Sequence, residues 1–371
     1  MRLVSVLSGV LVIAGVSGHP GHNIAEEVAV RRDFLSRNRN DLSHCTNRMR
    51  SRGLEQRSIE RRATLATKLF KRDGLQVRQI SSLKKPHKST KNYTIDTDAA
   101  VVFSGNKSCV LNPEATEGPY YVAGESVRQD VVEDQVGVPL TIDVQVVDVE
   151  TCEPVTAKLL EIWRKQNPLL LQLDRYYGGV TASGNGVWAA DPSNLDSTFL
   201  RGFQKTDEDG AVQFQTIFPG HYIGRTIHIH VMVHPSATAH ENGSVIDTSA
   251  SHVGQMYFDQ DLITEIEKLA PYNTNRQALT TNAQDFILAG EAATADPLME
   301  YTLLGDRLED GLLAWLSIGV NTSYTRTVSA AATVYKEGGK ANSNGLGGGG
   351  FPGGGGGGLG GGFGGGFGGT P

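Results

Sequence analysis

The sequence predicts a mainly β protein: an antiparallel β-sandwich core, preceded by a basic, partly helical arm and followed by a disordered glycine-rich tail. Three observations carry that prediction. From Val101 onward, short apolar and β-branched runs alternate with period two between Gly, Asp, Asn and Pro, the pattern of strands in stacked sheets. Residues 19–96 hold 18 Lys and Arg against 8 Asp and Glu, and within them Leu54, Ile59, Leu65, Leu69 and Phe70 fall at helical spacing. After Gly338 the chain is almost pure glycine punctuated by Phe351, Phe363 and Phe367, a composition that packs no core.

The elements follow in order. Met1-Arg2, the apolar stretch Leu3 to Val16 and the small pair Ser17-Gly18 read as a signal peptide over 1–18, so the mature protein is expected outside the cell. No later apolar run approaches the ~20 residues that cross a bilayer. The triplets at Asn92, Asn106, Asn242 and Asn321 suit N-glycosylation. Residues 19–96 form the arm or a pro-region, with dibasic pairs at Arg31-Arg32, Arg61-Arg62 and Lys71-Arg72. Residues 97–337 form the sandwich, with strands expected around Leu140–Asp148, Ala211–Phe218 and Ile227–Val233, and helices at Gln260–Ala270 and Asp306–Leu316. Residues 338–371 are the tail.

The net charge of −6 hides an asymmetry: the arm is positive, while from Thr97 onward there are 15 Lys and Arg against 32 Asp and Glu. The basic arm lacks the interleaved aromatics on which bases stack, and it follows a secretion signal; nucleic acid is excluded as a partner. Three cysteines, Cys45, Cys109 and Cys152, allow one bridge in an oxidising compartment, with Cys109–Cys152 the economical pairing.

Chemistry concentrates late in the chain, where six of ten histidines lie between His221 and His252. His228-Ile229-His230 sits in an apolar strand, which turns both imidazoles to one face, where they can share a metal ion. Just upstream, Phe218-Pro219-Gly220-His221-Tyr222 delivers a phenol close to that strand, and Tyr176-Tyr177-Gly178-Gly179 places another in a turn. Two neutral imidazoles with two phenolates make a hard, anionic set suited to ferric iron. On residue type alone, a packed core aromatic is the favoured reading of each tyrosine.

The series Thr116-Glu117-Gly118-Pro119-Tyr120-Tyr121, Glu161-Ile162-Trp163, Ala182-Ser183-Gly184-Asn185-Gly186, Phe199-Leu200-Arg201-Gly202, Thr206-Asp207-Glu208-Asp209-Gly210, Phe218-Pro219-Gly220-His221-Tyr222 and Arg225-Thr226-Ile227-His228-Ile229-His230 resembles the intradiol ring-cleavage dioxygenases, in particular their secreted fungal branch. The resemblance spans roughly residues 100–265. It implies non-heme iron(III) held by Tyr177, Tyr222, His228 and His230, with Tyr222 as the ligand that a catecholate displaces. It further implies that Arg225 stabilises negative charge on the substrate ring, that Gln255 lies in the cleft and that Tyr120 and Tyr121 wall it. The implied reaction inserts O2 between the two hydroxylated carbons of a catechol to give a cis,cis-muconate-type product, with no organic cofactor. A homodimer is compatible with it.

One departure stands beside the implied metal. Secreted relatives follow the Trp with His and Cys, whereas Arg164-Lys165 follow Trp163 here and Tyr177 lies 14 residues beyond it. Counting back from Ala182 favours Tyr177 over Tyr176. The altered segment leaves an alternative: a catalytically inactive secreted binding or structural protein that keeps the sandwich.

Overall fold

A computed structural model describes residues 42–72, 108–110, 121–163, 196–222, 224–247, 249–292 and 296–342. The expected signal peptide, Tyr120, Tyr176 and Tyr177 lie outside the described residues, as does the expected 338–371 tail from 343 onward; the start of that tail is instead a strand, Gly338–Ala341, paired with Ala332–Tyr335.

Nine strands build two sheets: β1 (Ser108–Val110), β2 (Pro139–Asp148), β3 (Leu159–Trp163), β4 (Gly202–Lys205), β5 (Ala211–Ile217), β6 (His228–His234), β7 (His252–Tyr257), β8 (Glu300–Leu303) and β9 (Leu312–Val320). The first sheet runs β1-β9-β2-β5, with β8 also on β9; the second runs β7-β6-β3-β4. The second is antiparallel throughout, whereas in the first β9 lies parallel to both β2 and β1. Alternate residues of each sheet meet face to face. Leu140, Ile142, Val144, Phe214, Leu316 and Ile318 of the first pack with Leu160, Ile162, Ile229, Val231, Val233 and Met256 of the second in one apolar core, the sandwich that the period-two runs predict.

The arm folds back onto the outer face of the first sheet. Helix α1 (Thr46–Ser51) stops at Gly53, whose φ of +69° is the left-handed geometry that ends helices, and α2 (Leu54–Arg72) follows. Ile59, Ala66 and Leu69 of α2 pack with Leu313 and Trp315 of β9. Polar groups cross the same interface: Arg61 makes two 2.9 Å hydrogen bonds to the fully buried Asp143 of β2, and Arg62 Nε donates to the same carboxylate at 3.2 Å. The Arg61-Arg62 pair is therefore neither a free processing site nor an exposed helix face; Arg62 is buried.

Two sequence expectations are corrected. The disulfide joins Cys45 to Cys152 across 107 residues, not Cys109 to Cys152. The helical arm carries Cys45 into the apolar cluster of Leu42, Met49, Leu54, Val147 and Val149 where Cys152 sits, a proximity that arises only from long-range packing. The expected helix over Asp306–Leu316 is instead a 3-10 turn at Leu308–Asp310 leading into β9. All nine residues of β9 are buried, since one face meets the other sheet and the opposite face meets α2. A strand covered on both sides shows no alternation and resembles a buried helix in sequence.

The helix expected from Gln260 forms as α3 (Gln260–Ile266), capped by Asp259, whose Oδ1 accepts the Leu262 N–H at 2.9 Å. A further helix, α4 (Phe286–Ala292), lies beside the outer face of the second sheet near the start of β6.

Candidate metal centre

The outward face of the second sheet is where the chemistry gathers. Inward positions of β6 are Ile229, Val231 and Val233, so His228, His230 and His234 point the other way. Register then supplies their neighbours: His230 is opposite Gln255 on β7 and Trp163 on β3, and His228 is opposite Tyr257.

The two imidazoles converge, with His228 Nε2 and His230 Nε2 3.2 Å apart. His228 Nδ1–H donates to the Thr226 carbonyl at 2.7 Å; in the neutral ring this leaves a lone pair on Nε2, facing the partner histidine. Burial foremost, then nearby positive charge that includes Arg225 and Arg201, holds His230 well below the usual histidine range, so its ring is neutral. Metal–nitrogen bonds of about 2.1 Å meeting near a right angle would separate two ligand atoms by about 3 Å, so this pair forms a ready edge of a coordination shell.

Tyr222 reaches the pair from the preceding turn. Its ring centroid is 6.0 Å from that of His228 and the residue is buried. Tyr222 and Arg225 pair across a tight reversal whose Gly224 takes φ +93° and donates its N–H to Thr280 Oγ1 at 2.9 Å. Burial raises the Tyr222 phenol well above its ordinary pKa, with Arg225 opposing. His221, in the same turn, is held away by Glu267 Oε2 at 2.8 Å and the Gln277 carbonyl at 3.0 Å.

Arg225 is fully buried and fixed from three sides. Nε donates to Asp285 Oδ2 at 2.8 Å, and Nη2 donates to Gln255 Oε1 at 2.5 Å and Tyr257 Oη at 3.1 Å. Tyr257 Oη donates in turn to Gln255 Oε1 at 2.6 Å. Two residues expected separately in the cleft, Arg225 and Gln255, thus share one hydrogen bond. Tyr121 is 1% exposed and packs on Trp163 at 5.3 Å between ring centroids, while Trp163 stacks on His230. Tyr121 therefore approaches the centre through Trp163.

Sequence reasoning passed over Asp285 and Tyr257. Tyr257 was legible, since it lies two residues from Gln255 on one strand and so shares its face. Asp285 carried only a weak helix-cap signal: its Oδ1 accepts from Ile287 and Leu288 N–H at the start of α4, while Oδ2 takes Arg225 and Thr226 N–H.

A second buried polar cluster flanks the centre. Arg201 Nε lies 3.9 Å from Glu125 Oε1, and His234 bridges Glu161 at 3.1 Å and Asp247 at 3.4 Å. Burial raises the Glu125 carboxyl to about 8 despite Arg201. Burial would lower His234, but Asp247 and Glu161 together raise it to about 9.

No family model matches this sequence, and no curated protein matches it. The similar solved structures are intradiol ring-cleavage dioxygenases. One, an intradiol ring-cleavage dioxygenase from Tetranychus urticae, is 30% identical over 58% of this chain and 96% of its own, with a TM-score of 0.43. The dioxygenase domain of a dioxygenase and carbohydrate-binding protein fusion from Streptomyces sp. SirexAA-E is 24% identical over 55% and 94%, with a TM-score of 0.32. Catechol 1,2-dioxygenase from Pseudomonas arvilla C-1 is 16% identical over 80% of each chain, with a TM-score of 0.33.

Proposed function

We propose that this chain is a secreted non-heme iron(III) dioxygenase that cleaves catechol-type rings between the two hydroxylated carbons with O2, yielding cis,cis-muconate-type products. The observation that carries the reading is the convergence of the His228 and His230 Nε2 atoms beside Tyr222, with a buried guanidinium next to them. The donor set suits a hard trivalent cation. His228, His230 and Tyr222 would hold the iron, with Tyr177 supplying the fourth protein ligand. When bound, a ferric ion acts as a Lewis acid that draws electron density from both catechol oxygens and prepares the ring for O2.

The chain's own residues do the rest. His230 is neutral, and the Thr226 carbonyl holds a proton on His228 Nδ1, so Nε2 of His228 is the atom left to face a metal beside His230. As a metal ligand Tyr222 would have given up its proton, and once displaced its phenolate Oη, whose burial strengthens its hold on a proton, would accept one of the two hydroxyl protons of the incoming catechol. Arg225 presents a permanent positive charge that Asp285 and Gln255 keep in place, and such preorganised charge beside a developing anion is worth roughly 3 kcal/mol. The apolar surroundings of Trp163 and Met232 keep bulk water from the outer face of the sheet.

Metal analysis combined with a visible spectrum tests the reading. Stoichiometric iron, a burgundy tyrosinate-to-iron band and O2 uptake with catechol are expected. A colourless, iron-replete protein would remove the tyrosines from the ligand set, and a coloured protein that forms no ring-cleavage product would leave an inactive binding protein.

A further inference from the structure

We propose that Asn242 is an N-glycosylated residue whose first sugar seats in the cleft beside it. The loop before Ser244 reverses at His240–Gly243: Gly243 N–H donates to the His240 carbonyl at 2.9 Å, and His240 N–H donates to the Ser244 carbonyl at 2.8 Å. Glu241 and Asn242 stand exposed at its tip. Gly243 has φ +79° and no atom within 4 Å of where a Cβ would be, so bulk is admitted next to the acceptor. The backbone N–H and Oγ–H of Ser244 both donate to Asn242 Oδ1, at 3.1 and 2.8 Å. With the amide oxygen held on the Ser244 side, Nδ2 occupies the opposite edge of the planar amide. Asn321, by contrast, is half-buried at the end of β9.

The second observation is the cleft itself, about 690 Å³ in volume and walled by Asn242 together with His240, Ile246, Tyr335, Lys336 and Glu337. Among the described residues, the exposed large apolar side chains are Val127, Val136, Ile246 and Tyr335, and two of the four, Ile246 at 43% and Tyr335 at 42% exposure, line this cleft. Apolar groups gathered in a polar-rimmed cleft mark a binding surface. A sugar matches both parts, because its C–H face packs on the Tyr335 ring and Ile246 while its hydroxyls and acetamide meet His240, Lys336 and Glu337. Asn242 fixes the identity of the occupant, since the acceptor nitrogen belongs to the wall.

In the transfer step, Asn242 Nδ2 forms a bond to the anomeric carbon of an N-acetylglucosamine carried as a polyprenol-pyrophosphate-linked oligosaccharide. The anomeric carbon–oxygen bond breaks, its electron pair leaves with the pyrophosphate, and one amide proton passes to solvent. None of this depends on the iron chemistry.

The test is full-length protein from a eukaryotic host, mapped by peptide mass before and after peptide N-glycosidase treatment. The Asn242 peptide should carry a glycan whose release converts Asn242 to aspartate; Ser244→Ala should abolish it and Ser244→Thr should retain it. Trimming to the first N-acetylglucosamine should leave Tm near that of the glycosylated protein, and complete removal should lower it. Tyr335→Ala should keep the glycan but erase that Tm difference. An unmodified Asn242 peptide, whether the protein is recovered from the medium or the cells, overturns the site. Glycan removal that leaves Tm unchanged, or shifts it equally in Tyr335→Ala, overturns the seating.

Discussion

Trp163 lies flat against His230, with ring centroids 4.9 Å apart and planes 10° from parallel. The two residues are opposite each other on neighbouring antiparallel strands. The indole of β3 therefore sets the plane of one of the two converging imidazoles, and the Thr226 carbonyl sets the other through His228 Nδ1.

Replacing the stack should loosen the metal before it unfolds the protein. Trp163→Phe keeps an aromatic face and should retain iron, whereas Trp163→Leu should weaken retention by about 10–100-fold, the usual cost of losing a group that orients a ligand. Competition against a chelator, read beside Tm, separates this from general destabilisation of the core.

Asp285→Asn tests whether Arg225 needs its anchor. The neutral amide removes the charge partner of a fully buried guanidinium, which costs on the order of 3–5 kcal/mol of stability when a buried pair is broken. Catechol turnover should fall by roughly 10²-fold, while iron content and the visible band remain. Loss of iron in step with activity would show that Asp285 supports only the fold.

The cluster around Glu125 and His234 should make stability fall toward alkaline pH. In the folded chain the Glu125 carboxyl holds its proton up to about 8, so between the ordinary carboxylate range and that value the folded state binds the extra proton and loses stability as pH rises. His234 acts in the same direction: its contribution is complete below the ordinary histidine range and is lost as pH rises through about 9. Urea midpoints measured across this span should decline, and Glu125→Gln should flatten the part below about pH 8. An unchanged slope in that variant would mean the Glu125 carboxyl is ionised in the fold.

Reducing the Cys45–Cys152 bond, or changing both cysteines to serine, should lower stability by roughly 2–5 kcal/mol, because the bond closes a loop of 107 residues. Denaturant unfolding with and without reductant measures it.

How much of this was legible in the chain depends on where each signal resides. Strands β2, β5 and β6 could be read from alternation because their outer faces carry polar residues such as Asp143, Gln213 and His228. Strand β9 could not, since Leu313 and Trp315 are as buried under α2 as Leu312 and Ala314 are in the core. At the candidate centre, His228, His230 and Tyr222 were visible because a strand period and a turn motif place them. Asp285 was hidden: it joins Arg225 across 60 residues, and no local pattern encodes a contact of that range. The Cys45 pairing failed for the same reason.

The Cys45–Cys152 link also alters what a nick in the chain would mean. Protease attack anywhere between 73 and 107 would leave α1 and α2 covalently tied to the turn after β2, still clamped by Arg61 and Arg62 on Asp143. Such a cut molecule would run as one band on a gel until thiol is added, so the arm travels with the sandwich as a stapled segment whatever happens to the connecting peptide.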